Sequence, residues 1–213
     1  MIRAVAFDVG ETLIRDDRGW GAWADWLGTN RHTLSALVGA VVALGRDNAD
    51  ALRLVRPGID VEAERVAMER AGRGEFLDES DLYPDVRPAL TALQDAGLRV
   101  VVAGNQTARA GELLRGLDLP ADALATSGEW GVAKPAAEFF ARTVELAGVP
   151  AGEVLYVGDH PQNDVGPARA AGMRTAHLRR GPLGCLWADS AEARAADWRV
   201  QSLTELVDAV CSG

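Results

Sequence analysis

Residues 2–12 read Ile2-Arg3-Ala4-Val5-Ala6-Phe7-Asp8-Val9-Gly10-Glu11-Thr12. Residues 2–7 form a short apolar run with β-branched content, the pattern of a buried strand. The run stops on an acid, and Gly10 breaks the chain direction just beyond it. Two further runs behave alike: 98–103 is stopped by Gly104, and 153–157 is stopped by Gly158 with Asp159 next. Weaker strands are expected at Ala123–Thr126, Arg174–Leu178 and Trp198–Val200. Helical spacing covers 86–96, 107–117, 136–147, 163–171 and 203–211, several of these ending at a glycine. From Asp85 onward strands and helices alternate, which predicts an α/β protein with a parallel sheet covered by helices on both faces.

Between the first strand and that pattern no strong strand signal occurs. Segments 20–28, 31–45, 48–56 and 60–71 all read as helices with Gly or Pro at their joints. The expected organisation is a core domain from residues 1–15 and 82–213, with an all-helical cap, or lid, over 16–81. Trp20, Trp23 and Trp26 lie three apart, so they share a broad face, either packing the lid helices or lining a substrate cavity. Arg53 and Arg56 are read as a solvated helix face or as binders of a second anionic group.

The chain has 213 residues and a formal net charge of -9, which disfavours nucleic acid and anionic membranes as partners. No run of about 18 apolar residues predicts a membrane span. The first apolar run is too short, and too soon interrupted by acid, for a signal peptide. The 2 cysteines, Cys185 and Cys211, form no metal-binding spacing and read as free thiols. A cytoplasmic location is expected. Of the 22 basic residues Lys134 is the only lysine, which suggests a position where a compact ammonium is required.

Ligands of parallel α/β sheets bind at the carboxyl ends of the strands. Asp8, Gly104-Asn105 and Gly158-Asp159 therefore gather at one edge, together with Asp164 and the segment Lys134-Pro135, which is expected to open the helix leading into the 153–157 strand. Clustered carboxylates repel unless a cation neutralises them, and oxygen-only ligands suit magnesium, which shares its shell with waters and a substrate phosphate. Asn105 and the start of helix 107–117 offer N–H donors to a phosphoryl group. By physics alone this reads as a phosphate site.

The ordered set Phe7-Asp8-Val9-Gly10-Glu11-Thr12, Val102-Ala103-Gly104-Asn105, Lys134-Pro135 and Gly158-Asp159…Asp164 resembles the four motifs of the haloacid dehalogenase superfamily, in its phosphatase-like branch. The resemblance covers residues 1–15 and about 82–210, and the helical insert stands where that family carries its C1 cap. It implies a Rossmann-like core and a magnesium-dependent hydrolase of a small phosphorylated metabolite. Asp8 would be the nucleophile, forming an aspartyl-phosphate. Mg2+ would be held by Asp8, Asp159 and the backbone oxygen of Gly10. Asp164 would orient Lys134 or the metal's waters, and Lys134 would steady the nucleophile and the phosphoryl group. Gly104, Asn105 and Lys134 form the implied phosphate-binding set.

Two positions depart from the family pattern. Gly10 replaces a second Asp that protonates the leaving group and then activates water. Glu11, His160, Asp16 or Asp17 are candidate stand-ins, and a substrate with a good leaving group, such as an acyl phosphate, would need little protonation. Gly104 replaces a Ser or Thr, removing one phosphate hydrogen bond. These departures keep two alternatives open: a catalytically impaired relative that binds a phosphorylated ligand or a protein partner, and a dehalogenase-type carbon–halogen hydrolase. A phosphonatase-type cleavage is disfavoured, because it uses a cap lysine and Lys134 lies in the core.

Overall fold

The computed structural model describes residues 1–211. In chain order it runs β1 (Ala4–Phe7), four helices α1 (Asp17–Leu27), α2 (Arg31–Ala43), α3 (Asp50–Val55) and α4 (Val61–Arg70), then α5 (Val86–Asp95), β2 (Arg99–Gly104), α6 (Ala108–Gly116), β3 (Ala123–Thr126), α7 (Ser127–Trp130), α8 (Ala137–Ala147) and β4 (Val154–Gly158). It continues through α9 (Gly166–Ala170), β5 (Arg174–Leu178), α10 (Gly181–Leu186), α11 (Ala191–Arg194), β6 (Trp198–Val200) and α12 (Leu203–Cys211). The chain divides into two compact units, Met1–Arg15 with Leu77–Gly213, and Asp16–Phe76.

The first unit is a six-stranded sheet in the order β3-β2-β1-β4-β5-β6, and every neighbouring pair is parallel. The order reverses between β1 and β4, so their carboxyl ends flank the crevice where ligands of open parallel sheets bind. Strand side chains alternate between two cores, as a period of two demands. Val5, Phe7, Val100, Val102, Leu155 and Val157 enter one cluster with residues of α5, α6 and α12. Ala4, Ala6, Val101, Ala103, Val154 and Tyr156 enter the other, against Phe139 and Phe140 of α8. The small alanines of β1 leave room there for the aromatic rings. Both faces of the sheet are thus dry, which explains why the central strands read as apolar runs rather than alternating ones.

Two expectations need adjustment. The segment expected as one helix over 163–171 is a π-helical turn, Pro161–Val165, running into α9. Helix α8 begins at Ala137, so Lys134-Pro135 lies in the preceding turn and does not open the helix itself.

The second unit is all helical. Asn30 accepts from the backbone N–H of His32 and Thr33 at the start of α2, and Asp60 accepts from that of Ala63 at the start of α4. Gly28 closes α1 in the left-handed conformation. Trp20, Trp23 and Leu27 pack with Leu34, Val41 and Leu52, and Trp26 Nε1 donates to Glu64 Oε2 at 2.6 Å. These tryptophans bind the helices of their own unit together. Arg53 pairs with Asp50 at 2.7 Å and Arg56 with Glu64 at 3.1 Å, all with partly solvated side chains. Among the described residues no helix is long and apolar enough to cross a membrane.

Candidate active site

Asp8 follows β1, and Asp159 follows β4. The Asp8 N–H donates to the Val157 carbonyl at 2.9 Å, so pairing of the two strands continues to Asp8. Asp8, Asp159 and Asp164 are all buried. Each offers a carboxylate oxygen, and the three atoms lie within 4.8 Å of one another. Lys134, also buried, reaches into this cluster: Nζ is 2.6 Å from Asp8 Oδ1 and 2.6 Å from Asp164 Oδ1. Asp164 also accepts from the His160 N–H at 2.9 Å. The structure therefore brings the separated positions 8, 134, 159 and 164 to one point.

Asn105 fixes the lysine's backbone. Its Oδ1 accepts from the Lys134 N–H at 2.8 Å, and its Nδ2 donates to the Lys134 carbonyl at 3.1 Å. Its side-chain amide thus grips the turn that carries the ammonium. Gly104 has a steric reason. A Cβ there would meet Asp8 Oδ1 at 2.7 Å and Val9 Cγ2 at 2.8 Å, so β2 approaches the Asp8 carboxylate more closely than a side chain permits. Gly158 has the same one, since an added Cβ would lie 2.2 Å from Asp164 Oδ2. Gly104→Ser is accordingly expected to displace Asp8 and to cost about 1–3 kcal/mol of stability, the scale of overpacking. Chemical denaturation of the variant beside the parent checks this.

The charges are unbalanced. Three carboxylates surround one ammonium. Burial drives the Asp8 carboxyl up to about 6, although Lys134 pulls in the opposite direction. Burial, followed by Asp164 and Asp8, holds Asp159 well above the ordinary carboxylate range. Burial would lower Lys134, but Asp164 and Asp8 outweigh it and keep the ammonium firmly charged. His160 is pushed down to about 4 by burial and then by Lys134. An excess of buried negative charge made only of oxygen donors fits a hard divalent cation. Asp8, Asp159 and Asp164 each offer it a carboxylate oxygen.

With its carboxyl raised to about 6, Asp8 in the folded metal-free protein holds a proton below that pH, which a bound cation would displace. Magnesium affinity is expected to weaken by about tenfold per pH unit below about 6 for each proton displaced. Calorimetric magnesium titrations between pH 5 and 8 test this, and an affinity independent of pH would contradict it.

Four residues not singled out from the sequence support the site. Tyr156 Oη donates to the Ala103 carbonyl at 2.8 Å, and its ring centroid lies 5.7 Å from Lys134 Nζ. His177 Nε2 is 3.2 Å from the Asp159 carbonyl. Tyr83 Oη donates to Glu11 Oε2 at 2.5 Å. Arg180 donates to the Thr12 carbonyl at 2.8 Å, pairs with Asp85, and lies 4.1 Å over the Tyr83 ring. Arg180 and Tyr83 therefore grip residues 11–12, where Glu11 is held in the left-handed region at φ 52. Arg180 stands just past the end of β5, the same sequence signal that marks Asp8 and Asp159.

Buried acids and one lysine thus gather at the switch point of a parallel α/β core. The chain belongs to the haloacid dehalogenase-like hydrolases, whose family pattern it matches over residues 2–172. It is 34% identical over 131 residues to the glyceraldehyde 3-phosphate phosphatase of Methanocaldococcus jannaschii, a match covering 60% of this chain and 56% of that protein. The chain thus spans little more than half of that relative. Its fold is similar to the magnesium-bound form of YfnB from Bacillus subtilis, with a TM-score of 0.73, 17% identity and 98% of each chain covered. It is similar also to the L-2-haloacid dehalogenase from Xanthobacter autotrophicus, with a TM-score of 0.63, 24% identity, and 99% and 98% of the two chains covered.

Proposed function

We propose that this chain is a magnesium-dependent phosphohydrolase of a small phosphorylated molecule, with Asp8 as its nucleophile. The observation that carries the reading is the Lys134 ammonium set 2.6 Å from both Asp8 and Asp164 inside a buried cluster of three acids. Such a cluster suits phosphoryl transfer, where positioning and charge stabilisation supply most of the rate. The named activity of the Methanocaldococcus relative points the same way.

Bound at Asp8, Asp159 and the Gly10 carbonyl, magnesium would neutralise the excess charge and polarise the phosphoryl oxygens. The protein's own residues do the rest. Asp8 presents one carboxylate oxygen to phosphorus. Lys134, fixed by Asp164 and by the Asn105 grip on its peptide, keeps that carboxylate ionised and meets the negative charge of the transferring group. The Asn105 N–H and the start of α6 lie after β2 at the same sheet edge and are the expected phosphate donors. The all-helical unit, Asp16–Phe76, takes the cap role and with it substrate choice. Surplus carboxylate around a single ammonium favours phosphoryl chemistry on a metal over carbon–halogen cleavage, and retention of all four charged groups favours turnover over a silent binding role.

The test is phosphate release from acetyl phosphate and p-nitrophenyl phosphate, with magnesium and with excess chelator. Release that chelator abolishes and magnesium restores is the expected result. Folded, magnesium-saturated protein that releases phosphate from neither would contradict the reading.

A further inference from the structure

Resting on the phosphohydrolase reading, we infer that Arg180 is a positioning residue for the metal site: it fixes the turn after Asp8, and with it the peptide whose Gly10 carbonyl that reading gives to magnesium. It lies just past β5, with its side chain 10% exposed. It acts through the turn and not on the ion.

The turn is wound tightly on one carbonyl. The N–H groups of Thr12, Leu13 and Ile14 converge on the Val9 carbonyl at 3.3, 2.8 and 3.0 Å. A trans peptide is planar, so its N–H and C=O point opposite ways. The Glu11 N–H donates to the Ile14 carbonyl at 2.7 Å. That bond sets the direction of the Gly10 carbonyl, which belongs to the same peptide. The arrangement puts Glu11 at φ 52, a left-handed conformation that a residue with a Cβ keeps only when its surroundings enforce it.

Arg180 supplies that enforcement from across the sheet edge. Its Nη1 donates to the Thr12 carbonyl at 2.8 Å. Thr12 is fully buried, and a buried carbonyl left without a donor is costly. Its Nη2 pairs with Asp85, which also accepts from the Leu203 N–H at 2.9 Å. The far end of the guanidinium is thus tied to the starts of α5 and α12. Its planar face lies 4.1 Å over the Tyr83 ring, and Tyr83 Oη donates to Glu11. The next residue is glycine for the same approach: a Cβ on Gly181 would lie 2.6 Å from Glu11 Cβ. Residues 11 and 12 are therefore both held from the end of β5. The two segments that flank Asp16–Phe76 also pair with each other, Tyr83 N–H donating to the Leu13 carbonyl at 3.0 Å and Arg15 N–H to the Asp81 carbonyl at 2.9 Å. Arg180 grips that pair at one end, through Thr12 on the first segment and Tyr83 and Asp85 on the second. A planar fork with a stacking face makes all three contacts at once, and a lysine ammonium does not.

In the experiment magnesium is titrated calorimetrically, without substrate, into the full chain as parent, Arg180→Met and Arg174→Met. The kcat for acetyl phosphate is then measured at saturating magnesium. Arg174 is the control: at the opposite end of β5 it pairs with Asp197 at 2.7 Å and lies 5.3 Å over the Trp198 ring. Arg180→Met is expected to weaken magnesium binding by at least about tenfold and to lower kcat by a similar factor, the scale for losing a group that orients metal ligands. Arg174→Met should do neither. Should Arg180→Met fail to fold, Arg180→Lys, which keeps the charge without the fork, decides by the same criterion. Magnesium affinity unchanged in the folded Arg180 variant, or lowered equally in Arg174→Met, would overturn this inference and leave the phosphohydrolase reading standing. A folded parent that neither binds magnesium nor releases phosphate would overturn that reading, and this inference with it.

Discussion

Lys134→Met is expected to lower kcat by about 10²–10³-fold, the scale for losing one preorganised charge that acts in the transition state. The ammonium is the one cation set against Asp8 and Asp164 in the cluster, and both contacts are 2.6 Å. Without it the Asp8 carboxyl, already raised to about 6, loses the neighbour that most strongly lowers it and climbs further. A protonated Asp8 is no nucleophile at neutral pH. Stability falls as well, by about 3–5 kcal/mol, because removing one partner of a buried ion pair leaves the other uncompensated. Lys134→Arg should not rescue activity. The ammonium is a compact point charge between two carboxylates, with the Tyr156 and Phe139 rings 5.7 and 6.0 Å away, and a planar guanidinium needs a different cavity. Urea denaturation and steady-state rates on both variants measure the two effects separately.

Asp8→Asn should lower kcat by on the order of 10⁶-fold, as loss of a covalent nucleophile does in other hydrolases. Its effect on stability should have the opposite sign. A raised carboxyl pKa means the folded state binds the proton more tightly than the unfolded chain. The corresponding stability is present below 3.8 and is lost as the pH rises through about 6. At pH 7 the metal-free parent therefore carries the full penalty of a desolvated Asp8 carboxylate, and a neutral amide removes it. Metal-free Asp8→Asn is expected to be at least as stable as the parent at pH 7, with the difference shrinking towards pH 4. Thermal unfolding across that range, with chelator present, checks the sign. A variant both inactive and markedly less stable would assign Asp8 a structural role instead.

Legibility of this site in the sequence follows physical lines. Asp8 and Asp159 were readable because each ends an apolar run, and parallel strands present such residues together. Lys134 stood out as the only lysine and through its place, with Pro135, in the ordered set of motifs. Its pairing with Asp164, 30 residues away, depends on the turn before α8 and the π-helical turn after β4, and neither has a periodic signature. Gly104 looked from the sequence like a missing hydroxyl, whereas the closeness of β2 to Asp8 gives it a packing reason that only coordinates reveal. The short helices α10 and α11 were missed, since Gly181-Pro182-Leu183-Gly184 has the composition of a turn. Tyr83 and His177 act through contacts made across the fold, to Glu11 and Asp159, so no local pattern marks them.

The central claim is that phosphate passes through Asp8. It is tested most directly by mixing the protein with acetyl phosphate and magnesium, quenching in acid within the first turnovers, and mapping phosphorylated peptides by mass spectrometry. A phosphoryl group on the peptide containing Asp8, absent from Asp8→Asn and chased by unlabelled substrate, is the predicted result. Turnover with the phosphoryl group on another residue, or undiminished turnover in Asp8→Asn, would contradict it.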